Sequence, residues 1–197
     1  MTSIDDLDGK NELYRIFMSS DSGLPSFYND MRRIEAVKKY SWAVPTIGAL
    51  RAITAYDPIV EMGAGTGYWA YLLQHIGCNI IAYDKNPPDQ FHSLSDLNPW
   101  HGNITYTEVK KGTPEILTSH SDRTLFLCWP PYDNSMACQC LHYWEGEYLV
   151  YIGEDCGGVT GNDEFYETLD KKFSLIKVVD IPQWLGIHDR MTIWSRT

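Results

Sequence analysis

The sequence predicts an α/β fold, in which a doubly wound, mostly parallel seven-stranded sheet is preceded by N-terminal helices and ends in an antiparallel C-terminal edge hairpin. Three observations support this prediction. Short apolar runs alternate with segments of helical period, as expected of strands that are joined by crossover helices. The first apolar run leads through a glycine-rich turn into a helical segment. The last two runs leave no room for a helix between them, so they should pair as a hairpin.

The N-terminal part of the chain predicts a helical cover, over 24–55, on a single domain that spans 1–197. A chain of 197 residues is long enough for one sizeable core and short for two. Residues 1–12 are polar, and we expect them to be flexible. Apolar residues then recur at spacings of three and four over 24–40, which is the period of an amphipathic helix. Pro45 favours the start of a second, short helix over 46–55.

Seven runs are predicted to form the strands, because each is short, apolar or alternating, and bounded by turn residues. A proline precedes the first run, and proline pairs close the second and the fourth. The third run is included because apolar and polar residues alternate along it. In chain order the strands are expected over 59–62, 79–84, 104–109, 124–129, 148–153, 174–181 and 190–196.

Three further helices are predicted between these strands, over 68–76, 136–144 and 163–172. The first follows the glycine-rich turn directly and stops at Gly77, since glycine commonly follows the end of a helix. Helices in these positions would cover both faces of the sheet, as a parallel sheet requires.

Composition and charge narrow the classes of function. The chain has 16 Lys and Arg against 26 Asp and Glu, for a net charge of −10, so its surface repels phosphate polymers and nucleic acid is disfavoured as a partner. The basic residues at 32–33 and 38–39 are interpreted as the solvated face of a helix. No apolar run has the roughly 18 residues of a membrane span, and the acidic N-terminus has no targeting pattern, so a cytoplasmic protein is expected.

The cysteines are expected to be reduced thiols. There are five of them, an odd number, and no secretion signal accompanies them. Cys138 and Cys140 are separated by one residue, whereas a zinc knuckle needs two. We therefore predict no metal site.

The glycine-rich turn at 63–67 is the strongest candidate for a ligand site. Glycine lets the chain turn sharply and brings the backbone close to a ligand. The turn lacks the Lys-Ser/Thr ending of an ATP-binding loop, and Tyr68 stands where a dinucleotide loop needs its third glycine. Glu61 precedes the turn, and a carboxylate there favours a cation over a pyrophosphate.

Asp84 adds a second feature to this site. It ends the second predicted strand, where an acid is placed to accept both hydroxyl hydrogens of a ribose. A ligand with a ribose, a positive charge and no phosphate describes S-adenosylmethionine. The sequence therefore predicts S-adenosylmethionine as the cofactor.

The run IVEMGAGTGYWAYLL, followed by IIAYD, resembles motif I and the acid after it in class I (Rossmann-like) S-adenosylmethionine-dependent methyltransferases. The resemblance extends from about residue 40 to the C-terminus, and is greatest to a branch of small proteins with YSWAVP-like, CWPPY-like and WxGIHDR-like segments. It implies that Asp84 holds the ribose of the cofactor and that the methionine end lies on Glu61, Gly63, Ala64, Gly65, Thr66 and Gly67. Many family members have an acid after the third strand that binds adenine; here Thr113 or a backbone carbonyl would replace it.

The segment after the fourth strand, Cys128 to Tyr132, is predicted to lie at the same edge of the sheet. Trp129 and Tyr132 offer flat faces for an aromatic acceptor or for the sulfonium, and the two prolines between them leave carbonyl oxygens free to bind a substrate. The segment resembles the (Asp/Asn/Ser)-Pro-Pro-(Tyr/Phe/Trp) motif of amino-group methyltransferases. Trp129 occupies the polar first position and has no acceptor atom, which weakens methylation of a nucleobase amine.

The remaining candidates are weaker. Asp133, Glu154 and His188 are candidate general bases, with an exposed or structural role as the alternative for each. Trp42 is a candidate wall of the cofactor pocket, or a core residue. His101 lies in an irregular segment that could belong to a lid.

Together these features predict a methyltransferase that acts on a small-molecule acceptor. The alternatives are a non-catalytic S-adenosylmethionine-binding protein, an amino-group methyltransferase acting on nucleic acid or protein, and a nicotinamide-dependent oxidoreductase. Tyr68 and Glu61 already argue against the last of these.

Overall fold

The computed structural model describes residues 7, 9–19, 26–90 and 101–197, with the backbone alone at 26–29. The helices are α1 (Glu12–Ser19), α2 (Ser26–Lys39), α3 (Ile47–Thr54), α4 (Tyr68–His75), α5 (Met136–Tyr143) and α6 (Asp163–Lys172). The strands are β1 (Ile59–Met62), β2 (Ile80–Asp84), β3 (Val109–Lys111), β4 (Thr124–Cys128), β5 (Tyr148–Gly153), β6 (Phe173–Asp180) and β7 (Arg190–Arg196).

These strands form one seven-stranded sheet in the order β3-β2-β1-β4-β5-β7-β6. The first five pair in parallel, and β7 pairs antiparallel with both β5 and β6. The predicted fold class is confirmed, including the edge hairpin. The strand order reverses between β1 and β4, and at such a switch point the crevice beyond the carboxyl ends of the strands is where α/β proteins bind ligands.

Two apolar layers cover the sheet, because successive side chains of a buried strand point to opposite faces. On β4, Phe126 packs in one cluster, which includes Leu50 of α3 and Trp69 of α4. Its neighbours Leu125 and Leu127 pack in the other, with residues of α5 and α6. These helices therefore lie on both sides, as the doubly wound prediction requires.

The third strand differs from the prediction over 104–109. Pairing with β2 begins at Val109 and covers three residues. The alternation before it has another cause: Ile104 is exposed, whereas Tyr106 packs against the rings of Tyr40 and Tyr68. The backbone N–H of Tyr106 donates to the Thr66 carbonyl rather than to a strand. A 3-10 helix at Pro114–Ser119, which the sequence analysis did not predict, follows β3.

Two described residues of the N-terminal segment contact the rest of the domain. Within 1–12, the described residues Leu7 and Asn11 are buried, and the Asn11 side-chain amide donates to the Pro45 carbonyl at 2.8 Å. Helix α1 follows and was not predicted. In the predicted helix 24–40, residues 24–25 lie outside the described part of the chain.

Among the described residues, every helix is too short or too polar to span a bilayer. In the same part of the chain, no group of three or more His, Cys, Asp or Glu side chains is arranged to hold a metal ion.

Candidate functional site

The glycine-rich turn lies between β1 and α4, with positive φ angles of 78° at Gly63, 53° at Gly65 and 70° at Gly67. Four of its five backbone N–H groups donate to acceptors within the protein. The amides of Gly63 and Ala64 donate to the Tyr83 carbonyl, that of Gly67 donates to the Ala64 carbonyl, and that of Gly65 donates to Asp84. A phosphate-binding loop needs free amides at its ligand, so this turn suits a ligand that carries no phosphate.

Asp84 connects the turn to the end of β2. One carboxylate oxygen accepts the Gly65 N–H and the other accepts the Asn86 N–H, both at 2.8 Å. The side chain is buried at 6% exposure. Since a carboxylate oxygen has two lone pairs, each keeps one position for a further donor such as a ribose hydroxyl.

Glu61, in β1, is a buried acid with an unsatisfied oxygen. Its exposure is 1%, and within the part of the chain that the structure describes its Oε2 has no hydrogen-bond partner. Burial, together with the nearby Asp84 charge, raises the pKa of this carboxyl from 4.5 to about 8, while a hydrogen bond from the Ala70 backbone opposes the rise. A cation or a donor beside Oε2 would stabilise the ionised form.

Two other predicted cofactor residues lie apart from these carboxylates. The Thr66 hydroxyl donates to the Tyr40 carbonyl, so the buried side chain faces the N-terminal helices rather than a ligand. Thr113 is exposed and precedes the 3-10 helix; the amide of its neighbour Gly112 donates to the Asp84 carbonyl at 2.9 Å.

Trp129 follows β4 in an unusual conformation. Of the described non-glycine residues it alone has a positive φ, 55°, which is costly for a bulky side chain and is most often found at functional sites. Its indole stacks on Trp42, with centroids 4.7 Å apart and 21° between the planes. Its Nε1 donates to Oδ1 of Asp189 at 2.8 Å. The predicted residues Trp42 and Trp129 are therefore in contact.

Asp189, in the turn before β7, was not among the predicted site residues. It is fully buried, and its Oδ2 has no hydrogen-bond partner among the described residues. Burial, reinforced by the Glu154 charge, raises its pKa from 3.8 to about 7, although the Trp129 N–H and the Arg33 charge act in the opposite direction. Sequence reasoning selected His188 from this turn, but the His188 side chain is exposed.

The structure separates the other predicted catalytic residues. Glu154 is buried, and its two oxygens accept the backbone N–H groups of His188 and Val159, both at 2.8 Å. It therefore fixes two loops. Tyr132 is 55% exposed and Asp133 is exposed as well.

The proline pair also differs from its predicted role. The carbonyl of Pro130 accepts the Gly161 N–H at 2.9 Å, and Pro131 forms an isolated β-bridge with Thr160. The expectation that both carbonyls are free for a substrate is wrong for Pro130. This loop is instead held by the segment that follows β5.

Two side chains that the sequence analysis left aside belong to this edge of the sheet. The His101 ring lies directly against Gly65: a Cβ at that glycine would come within 2.2 Å of the imidazole Nε2. Burial lowers the pKa of His101, and its Nδ1 has no partner. Arg33, which we expected on a solvated helix face, instead places its guanidinium 5.8 Å from the centroid of Trp42.

Comparison with known proteins supports the fold. No protein-family model matches the sequence, and a search of curated proteins finds no match. Among solved structures, the pyocyanin biosynthetic protein PhzM aligns with a TM-score of 0.50 and 13% identity, over 85% of this chain and 58% of that one. Magnesium protoporphyrin IX methyltransferase (ChlM) from Synechocystis PCC 6803, with bound S-adenosylmethionine, aligns with a TM-score of 0.49 and 11% identity, over 86% and 81%.

At these identities the similarity to PhzM shows the fold alone. The sheet order and the closing antiparallel strands agree with it. The chain thus has the class I, Rossmann-like methyltransferase fold. The buried carboxylates of Glu61 and Asp84 lie at the switch point of its sheet.

Proposed function

We propose that this protein binds S-adenosylmethionine at the edge formed by Glu61, the 63–67 turn and Asp84, and transfers the methyl group to a small-molecule acceptor. The observation that carries the proposal is the pair of buried acids beside a turn in which four of the five amides already donate to protein acceptors. Such a site favours a ligand that is cationic and free of phosphate. A structure of PhzM, a biosynthetic protein, and one of a methyltransferase with bound S-adenosylmethionine share the fold.

Each group has a defined part in binding. The free lone pairs of Asp84 would accept the ribose hydroxyls, and the unpartnered Oε2 of Glu61 would face the positively charged methionine end. The glycines keep the backbone close to the ligand, while His101 shares the space over Gly65 with anything bound there. The cofactor, when bound, supplies an activated methyl group.

The aromatic pair then defines the acceptor side. Trp42 and Trp129 stack beside the carboxyl end of β4, where flat rings exclude water and can align an acceptor with the sulfonium. Tyr132, more exposed, would extend this surface. The net charge of −10 favours a small acceptor over nucleic acid.

Calorimetry tests the cofactor assignment. Wild-type protein should bind S-adenosylmethionine and its demethylated product, and should not bind NAD. Asp84→Ala should weaken both interactions at least about tenfold, because a ribose contact worth about 1.5–3 kcal/mol is lost. Asp122→Ala, an exposed acid just before β4, is the matched control and should bind as wild type does.

Two outcomes would contradict the assignment: NAD binding as tight as S-adenosylmethionine, or an Asp84→Ala affinity equal to that of wild type. Incubation with labelled S-adenosylmethionine and a small-metabolite extract then tests turnover. Tight binding without any label transfer would favour the non-catalytic alternative.

A further inference from the structure

Asp189 and Arg33 are opposite charges that each contact one ring of the Trp42–Trp129 stack. Asp189 contacts the Trp129 indole through Oδ1, and its buried Oδ2 has no partner. Arg33 lies over the Trp42 ring, and its buried Nε also has no partner. Within the described residues the two form no ion pair with each other. Each therefore keeps buried hydrogen-bonding capacity that the protein does not satisfy.

Buried polar atoms without partners are rare, because each costs about 1–3 kcal/mol of desolvation. Here the surrounding structure holds the acid in place. Trp129 adopts a positive φ while its N–H donates to Asp189, and Glu154 fixes the same turn through the amide of His188. These contacts hold Oδ2 of Asp189 in a fixed position, so it suits a ligand that carries a hydrogen-bond donor.

The nearby charges indicate which donor. The Glu154 charge raises the pKa of Asp189, and burial, together with the charges of Glu61 and Asp189, raises that of the Cys128 thiol, so these carboxyls lie near one another. Arg33 is the cation that acts on this group. Several carboxyls against one guanidinium favour a positively charged head group at Asp189 and a negatively charged group at Arg33.

We propose that the acceptor is a small molecule carrying both an amine and a carboxylate, with its ammonium group on Oδ2 of Asp189 and its carboxylate on Arg33. This inference rests on the proposed function, whose acceptor it defines. The indole face of Trp129 adds cation–π attraction for the ammonium.

The methyl-transfer step balances with these groups. The ammonium gives one proton to the Asp189 carboxylate, which frees the nitrogen lone pair. That lone pair forms the new bond to the methyl carbon while the carbon–sulfur bond breaks and its electrons return to sulfur. The products are a methylated ammonium and the neutral thioether, and the carboxylic acid later releases its proton to water.

A binding experiment tests this assignment without requiring turnover. The indole N–H signal of Trp129, assigned by comparison with Trp129→Phe, is followed by NMR during titration with glycine, β-alanine and 4-aminobutyrate. Matched amines without the acid (methylamine, ethylamine, propylamine) and acids without the amine (acetate, propionate, butyrate) are titrated in parallel. At least one amino acid should shift the signal with an affinity at least tenfold higher than that of its matched amine and acid.

Variants assign each end of the ligand. Asp189→Asn keeps an acceptor for the Trp129 N–H and should remove the preference for an amine, and Arg33→Gln should remove the preference for a carboxylate. The controls are Asp180→Asn, an exposed acid of the same hairpin, and Arg32→Gln, the exposed neighbour of Arg33; both should bind as wild type does. Circular dichroism checks that each variant is folded.

The inference is overturned if no probe shifts the signal up to its solubility limit, if acids bind as tightly as amino acids, or if both site variants bind as wild type does. The proposed function is judged separately by calorimetry. Fragment binding by a protein that fails to bind S-adenosylmethionine would overturn the proposed function, whereas cofactor binding without fragment selectivity would overturn this inference alone.

Discussion

The two halves of the candidate site are built in different ways. In the half that includes the glycine-rich turn, Asp84 bonds to Gly65, 19 residues earlier in the chain. In the half around Trp129, the indole bonds to Asp189 60 residues away, and Glu154 bonds to the His188 amide 34 residues away. The first half is therefore one βαβ unit, while the second is assembled from segments that are distant in the sequence.

The buried acids of the site also differ in how many of their oxygens have a hydrogen-bond partner. Glu154 has both oxygens occupied by backbone N–H groups, whereas Glu61 and Asp189 each keep one oxygen without a partner. A fully satisfied buried carboxylate stabilises the fold, and a partly satisfied one is available to a ligand. This difference makes Glu154 a structural residue and separates it from its neighbours in the site.

The largest predicted effect concerns Glu154. Replacing it in Glu154→Ala leaves the amides of Val159 and His188 without their acceptor, and the free energy of unfolding should fall by about 2–5 kcal/mol. Urea denaturation followed by circular dichroism measures the change.

Asp155 is the control, because it is the adjacent acid and forms an exposed ion pair with Arg190. Asp155→Ala should cost at most about 1 kcal/mol, as for other surface pairs. Equal losses in the two variants would show that Glu154 does not hold the two loops together.

Much of the first half could be predicted from the sequence. The glycines at 63–67 and Asp84 lie at the ends of consecutive strands, so hydrophobic period and turn chemistry were enough to bring them together. The same local patterns predicted the mostly parallel sheet and the final hairpin, because each depends on the length and period of the segments between neighbouring strands.

The second half could not be predicted in this way. Trp129 and Asp189 meet only through the pairing of β7 with β5, and their positions in the sequence carry no sign of that contact. The residues Ile104–Val109 alternate as a strand does, but Tyr106 packs on Tyr40 and Tyr68 instead. His101 was assigned to an irregular segment that could belong to a lid and Arg33 to a solvated helix face, because the contacts of both with the site arise only from tertiary packing.

The next largest effect concerns Glu61 and is a dependence on pH. Burial raises the pKa of its carboxyl from 4.5 to about 8, so the folded state binds more protons than the unfolded state between these values, and wild-type stability falls as pH rises from about 4.5 to 8. Glu61→Gln does not titrate. Between pH 5 and pH 8, its free energy of unfolding should therefore rise relative to that of wild type by on the order of 3 kcal/mol.

Urea unfolding at several pH values tests this dependence, with Glu108→Gln, an exposed acid just before β3, as the control. The control should follow wild type throughout. If the stability of Glu61→Gln changes with pH as that of wild type does, the pKa of Glu61 is not raised and its carboxylate is ionised in the folded protein. A positively charged group of the protein must then already compensate it.

The smallest predicted effect is the loss of stability in Gly65→Ala, which combines backbone strain with a clash between the new methyl group and the His101 ring. Both Gly65 and Gly77 have a positive φ, 53° and 89°. A Cβ at Gly65 would lie 2.2 Å from the His101 ring, whereas a Cβ at Gly77 would have no atom within 4 Å. Gly77→Ala should cost about 1 kcal/mol from strain alone, and Gly65→Ala about 2 kcal/mol because the ring must also move. Thermal or urea unfolding of the ligand-free protein measures both.

The double variant Gly65→Ala with His101→Ala completes this comparison. Removing the ring leaves strain as the remaining cost, so Gly65→Ala should be about 1 kcal/mol less destabilising in the His101→Ala background than in wild type. Additive losses would mean that the two residues are not in contact in solution. In that case the space over the glycine-rich turn is already open, and His101 does not share it with the cofactor.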